Sequence, residues 1–158
     1  MPARLQIVPT IHKDRIDTVN LGTTALLFTN AEIGKAVKLT GAGTYGLCAA
    51  GDKIEGIVNS SEYSLTGATR GGLSVGGVRK SGFVEVIATV ALAAGDKVVA
   101  AAQPAVGTKL TGIGNGDVPC TPVQKAAADA VAPFLMRVVD LGPVGTGAAG
   151  TICVAEFL

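Results

Sequence analysis

The sequence predicts a mainly β protein: a single β-barrel or β-sandwich body with an extended N-terminal arm and at most one short helix. Three observations predict it. Short apolar segments alternate with turn signals roughly every 8–12 residues, the spacing of sandwiches and barrels rather than of βαβ units. Glycine supplies 22 of the 158 residues, about twice its usual share. The strongest segment, Phe83–Val90 (FVEVIATV), is β-branched and aromatic, which suits a pleated, half-buried surface. The length fits one domain, or a domain with an arm, and can bury a core without metals or disulfides.

The elements follow in order. Met1–Asn20 is the arm, and residues 21–158 are the β-rich body. The arm holds Arg4, Lys13, Arg15, two prolines and the single histidine, His12, with Leu5, Ile7, Val8, Ile11 and Ile16 spaced irregularly. Its apolar content suggests a segment tied down on a neighbouring subunit, since bare termini are otherwise disordered. Lys35–Thr40 (KAVKLT) alternates polar and apolar at period two, a half-buried strand. Tyr45–Ala49 is its candidate hairpin partner. Ile54–Val58 and Glu62–Thr66 read as two strands or one bent strand. Gly72–Val78 alternates but is weakened by glycine, as at a bulge or an edge. Phe83–Val90, Lys97–Ala101, Thr108–Ile113, Leu135–Leu141 and Thr151–Phe157 complete the strands. A short helix or a loop follows Thr121, with Thr121 as N-cap, Pro122 at the first helical position, Val123–Val131 as the body and Pro133 as the stop.

Composition narrows the partners. Net charge is +1 and charged residues are 16%, against roughly 25% in an average soluble chain. No pull toward nucleic acid is expected. No apolar run approaches the ~20 residues of a membrane span. The stretch MPARLQIVPTIHKDR lacks the continuous apolar core of a secretory signal, so synthesis in the cytoplasm is expected. Cys48, Cys120 and Cys153 are far apart and odd in number, and read as reduced, buried small hydrophobes.

Chemistry-bearing motifs are weak. Gly41–Gly46 and Gly145–Gly150 both match GxGxxG, but neither has the strand, helix and distal acid of a dinucleotide site. His12 has no partner pattern for a metal. Asn115-Gly116-Asp117 reads as a turn, and Arg79-Lys80 as a solvated hairpin tip. No cofactor, metal or catalytic residue is assigned, and the protein is expected not to be an enzyme.

One repeat stands out. Ala-Ala-Gly-Asp-Lys occurs at Ala49–Lys53 and again at Ala93–Lys97. As chemistry, Asp52 and Asp96 would be paired carboxylates tuned by Lys53 and Lys97. As structure, Gly51 and Gly95 supply a left-handed backbone position, and the Asp bonds back to the chain before a strand. The identity stops after five residues, so the turn reading is favoured.

The order of these features resembles a known family. A Val- and Lys-rich strand ends at a glycine turn (Val37–Gly46), and AAGDKIEGIV follows. Then come a Gly-rich segment with Val78, Phe83-Val84-Glu85-Val86, and LAAGDKVVAAA. RVVDLGPVGTGAAGTICVAEF closes the chain. This is similar to the small capsid decoration (cement) proteins of tailed bacteriophages, encoded in the head-gene cluster, in which "aGD.v.G", "G.v.v", "aGD.v" and a closing "G.a.aG..v.V" strand succeed one another. The likeness spans about Lys35–Leu158 and leaves out the arm. It implies a virion protein on the capsid exterior that bridges capsomers as a homotrimer, with the major capsid protein as partner and no catalytic residues. Arg4, Leu5, Ile7, Ile11, Lys13 and Arg15 are the candidate capsid or subunit contacts. The alternative is a phage surface or tail β-module that binds host glycans or another ligand.

Overall fold

Alternation at period two builds both halves of the protein. The computed structural model describes residues 16–22, 27–40, 43–61, 74–110, 120–127 and 136–158. Five strands close a barrel: β1 (Ile16–Leu21), β2 (Ala36–Leu39), β3 (Tyr45–Leu47), β4 (Gly56–Val58) and β5 (Ser74–Arg79), in the order β1-β3-β2-β4-β5. β5 lies antiparallel along the whole of β1, from Ile16 opposite Arg79 to Leu21 opposite Ser74. A parallel contact between Leu21 and Tyr45 shuts the ring. A second sheet holds β6 (Phe83–Ala88), β7 (Val98–Ala100), β8 (Thr121–Lys125), β9 (Met136–Asp140) and β10 (Ile152–Phe157), in the order β7-β8-β6-β10-β9. β6 and β8 are parallel, and the other pairs are antiparallel.

Two cores fill these sheets. Leu21, Phe28, Val37, Val58 and Val78 pack inside the barrel. A larger cluster joins Val86, Ala88, Val123, Met136, Val138 and Cys153 of the second sheet to Ala36, Cys48, Ile54 and Ile57. Adjacent residues of one strand therefore serve different cores. Ala36 and Ile57 face the larger cluster, while Val37 and Val58 face the barrel interior. β2 and β4 are walls shared by both halves, which makes the two sheets one body.

The mainly β class is as expected, and eight of the expected strands coincide with β2 to β7, β9 and β10. The body combines a barrel with a curled second sheet. Two readings change. The helix placed after Thr121 is a strand, β8, with Thr121 and Val123 buried on one face. Its flanks decide this: Val123 lies opposite Ala88 on one side and Ala100 on the other, a ladder that a helix would forfeit. Pro122 is tolerated near the strand's start, where its missing N–H costs little. Residues 16–20, read as part of the arm, belong to β1 of the barrel. Residues 1–15, and with them Arg4, Leu5, Ile7, Ile11, Lys13, Arg15 and His12, lie outside the described residues. So do Glu62–Thr66, residues 128–131 of the expected helix body, Asn115–Asp117 and part of Thr108–Ile113; the described residues 108–110 are not strand.

Candidate functional site

The two AAGDK copies form turns with the same hydrogen bonds. In the first, Gly51 has φ 87, and the Asp52 N–H donates to the Ala49 carbonyl at 3.1 Å. The Asp52 carboxylate accepts the Ala49 N–H at 2.7 Å. In the second, Gly95 also has φ 87, Asp96 N–H donates to Ala93 O at 3.1 Å, and Asp96 accepts the Ala93 N–H at 2.8 Å. Glycine adopts this backbone without the Cβ penalty that any other residue meets.

Each turn also grips a distant strand with two reciprocal backbone bonds. Gly51 N–H donates to Ala100 O and Ala100 N–H to Asp52 O, both at 2.9 Å. Gly95 N–H donates to Val138 O and Val138 N–H to Asp96 O, both at 2.8 Å. The first turn thus fastens the chain between β3 and β4 to β7. The second brings β9 round to β7, where Lys97 bridges Arg137.

The pattern recurs outside the two AAGDK copies. Gly150, φ 86, donates to Ala88 O at 2.7 Å, and Ala88 N–H returns a bond to Thr151 O at 3.0 Å. Gly34, φ 88, donates to Val58 O at 2.8 Å, and Val58 N–H returns one to Lys35 O at 3.0 Å. A third Ala-Ala-Gly, at Ala148–Gly150, was the available signal. The hooks end directly ahead of β2 and β10, two residues ahead of β7 and four residues ahead of β4.

The carboxylates are not a paired site. Asp52 and Asp96 belong to turns docked on different strands. Their cationic partners are not the neighbouring Lys53 and Lys97 but Lys38, at 2.6 Å, and Lys125, at 2.9 Å. Burial opposes ionisation of Asp52, but Lys38 and the Ala49 N–H outweigh it and hold its carboxyl below the usual range. The Ala93 N–H, then Lys125, lower that of Asp96. Anionic groups held this way are capping acceptors and poor proton acceptors.

A second charged group is fully buried. Glu32 and Lys35 both have 0% side-chain exposure and meet at 3.2 Å. Glu32 also accepts from Thr29 N–H at 2.6 Å, from the Thr29 hydroxyl at 3.1 Å and from Gly107 N–H at 2.5 Å. Lys35 donates to Ala105 O at 2.9 Å. Thr29 and Glu32 form a capping box around a single 3-10 turn, Asn30–Glu32. Burial works against the Glu32 carboxylate, but these donors prevail and lower its pKa. The pair pins the 105–107 loop to the barrel. Its signal in the sequence was the Thr29-x-x-Glu32 spacing of a capping box.

Other expectations are placed as follows. Arg79-Lys80 is not a solvated tip. Lys80 reaches Asp17 at 3.2 Å and the Tyr45 hydroxyl at 2.6 Å, and lies 4.6 Å from the Tyr45 ring centre. Cys48, Cys120 and Cys153 are buried and form no disulfide. Desolvation pushes the Cys48 thiol up to about 12 and raises the other two as well. The described part of the first GxGxxG match leads from Gly43 into β3, which holds Tyr45 and Gly46, and the second ends in the turn before β10. Among the described residues, no three His, Cys, Asp or Glu side chains gather as metal ligands.

The described residues also form a concave surface. A groove of about 390 Å3 runs between the barrel and the start of β6, lined by Ile33, Ile57, Val58, Phe83 and Val84. Arg79 and Glu85 are its charged members. Phe83 is 52% exposed, and its carbonyl accepts from Arg79 Nη1 at 3.2 Å. The groove is apolar with a few polar groups, the character of a recognition surface. Searched against known proteins, the chain matches no family model and no curated relative.

Proposed function

We propose that the protein is a structural virion protein that binds the outer surface of a phage head and stabilises the capsid by bridging capsomers as a homotrimer. The major capsid protein is its partner. The observation that carries this reading is the division of labour between charge and surface. The acidic groups at the turns and in the core are engaged within the fold, as hooks and buried ties. Large apolar side chains instead face outward: Ile16, Leu39, Phe83, Val90 and Val144 are exposed. Such a body works through contact area, and small side chains let subunits approach closely. The AAGDK motifs that carry the family likeness support it, because their role here is architectural.

Glycan binding is the weaker reading. It calls for several exposed aromatic platforms, yet among the described residues Tyr45 lies under Lys80, Phe28 is 1% exposed and Phe83 alone is largely exposed. Mixing the protein with undecorated heads tests the proposal. Co-sedimentation and a raised temperature of head disruption are expected. A protein that neither pellets with heads nor hardens them overturns it.

A further inference from the structure

We propose that residues 102–107 are an acid-released strap at the start of β2, and that the buried Glu32–Lys35 pair is its catch.

The strap is attached unlike the hooked turns. Among the described residues, no backbone bond joins 102–107 to a strand. Side chains hold the segment instead. Gln103 Oε1 accepts the Ala36 N–H at 3.1 Å, and Gln103 Nε2 donates to Ala101 O at 2.9 Å and to Pro122 O at 3.2 Å. Lys35 Nζ donates to Ala105 O, and Glu32 accepts the Gly107 N–H. Between these ties Val106 packs on the barrel core of Leu21, Phe28, Val37, Val58 and Val78. A segment without ladder bonds opens at lower cost than the strands beneath it.

Two of the three ties run through one ion pair. Glu32 and Lys35 have no exposed side-chain surface. Thr29 offers Glu32 neutral donors, the strap offers the Gly107 N–H, and β8 sends the Thr121 hydroxyl to the nearby Gly34 carbonyl. None of these titrates, so Lys35 is the charged group among the described residues that bears on Glu32. Protonating Glu32 removes the anion that holds Gly107. It also leaves the Lys35 ammonium buried without a counter-ion, the costly state of a broken buried pair. Ala105 and Gly107 are exposed, so lifting the strap lets water reach that ammonium while the ladders stay paired. Its donors hold the Glu32 carboxyl below the usual range. The catch is therefore shut at neutral pH and opens as pH falls through that lowered value. Release bares Val106 and the barrel core beneath it, apolar surface that the neutral protein hides.

Thiol labelling of the full-length Val106→Cys protein tests this. Dithiodipyridine, which reacts with thiols in acid, is applied in short pulses between about pH 6 and pH 3. Rates are divided by those of an unstructured cysteine peptide at the same pH. Cys48 and Cys153 lie in the larger core and report opening of the whole fold. Labelling of the Val106→Cys thiol is expected to rise about tenfold over this range, with Cys48 and Cys153 still protected. Adding Glu32→Gln should raise labelling at pH 6 and flatten its pH dependence. Adding Glu32→Gln with Lys35→Met, which removes the orphaned charge as well, should bring labelling back toward the level of the parent at pH 6. A parent protein whose labelling is flat with pH overturns the proposal. So does a rise shared in step by Cys48 and Cys153, or one that survives Glu32→Gln unchanged.

Discussion

At the scale of single residues, the hooks make distinct predictions for glycine and aspartate. Gly51 and Gly95 have open space where a Cβ would stand, so the cost of alanine there is backbone strain alone. Gly51→Ala and Gly95→Ala should each lose about 1–2 kcal/mol in urea unfolding. Together they should add, because the turns dock on different strands. Asp96→Asn should cost little, since an amide oxygen still accepts the Ala93 N–H. Asp96→Ala should cost about 1 kcal/mol, as a lost cap does.

Acid response follows from the same groups. Asp52, Asp96 and Glu32 all have folded pKa values below their ordinary 3.8, 3.8 and 4.5. A depressed carboxyl adds stability above its unfolded value and loses it as pH falls through its folded value. The melting temperature should be level between about pH 5 and 7 and decline below about pH 4. Asp96→Asn should shrink that decline, and a decline of unchanged size would show that the carboxylate is not the titrating group.

At the scale of elements, β8 shows what a strand owes to its neighbours. VQKAAADAV has helical composition, and Thr121-Pro122 mimics a helix start. Two flanking ladders outweigh that local preference. The sequence contains β8's alternation, but not the partners that make it decisive. β6 and β10 were legible because β-branched and aromatic residues already fix their period. The Thr29-x-x-Glu32 spacing marks the capping box, but the Glu32 contact with Gly107, 75 residues away, leaves no local trace. Val123, fully buried in β8, should lose about 2 kcal/mol as Val123→Ala. If the segment behaved as an exposed helix, that change would be neutral or stabilising. Gly76 in β5 tests close approach. A Cβ there would stand 2.1 Å from Ser60 O and 2.6 Å from Leu21 Cδ1, so Gly76→Ala should unfold or severely weaken the barrel in a thermal melt.

For the whole molecule, the place of residues 16–21 in β1 sets different outcomes for two truncations. Removing residues 1–15 should leave the β spectrum and melting temperature nearly unchanged, while weakening any association that the segment mediates. Removing residues 1–21 deletes β1 and opens the ring between β3 and β5. That chain should lose its cooperative melt. Equal melts for the two truncations would move β1 outside the core, against the full burial of Leu21.

The hook at residues 93–96 has a last consequence, in the concentrated state. A strand at the rim of a sheet carries spare amides that can template another chain, the first step of fibril growth. The barrel has no rim. In the second sheet, Gly95 and Asp96 occupy the outward N–H and carbonyl of Val138, and so deny them to a stranger. The intact protein should stay clear and thioflavin-negative at high concentration, whereas Gly95→Ala, with that clasp loosened, should be the variant that seeds fibres.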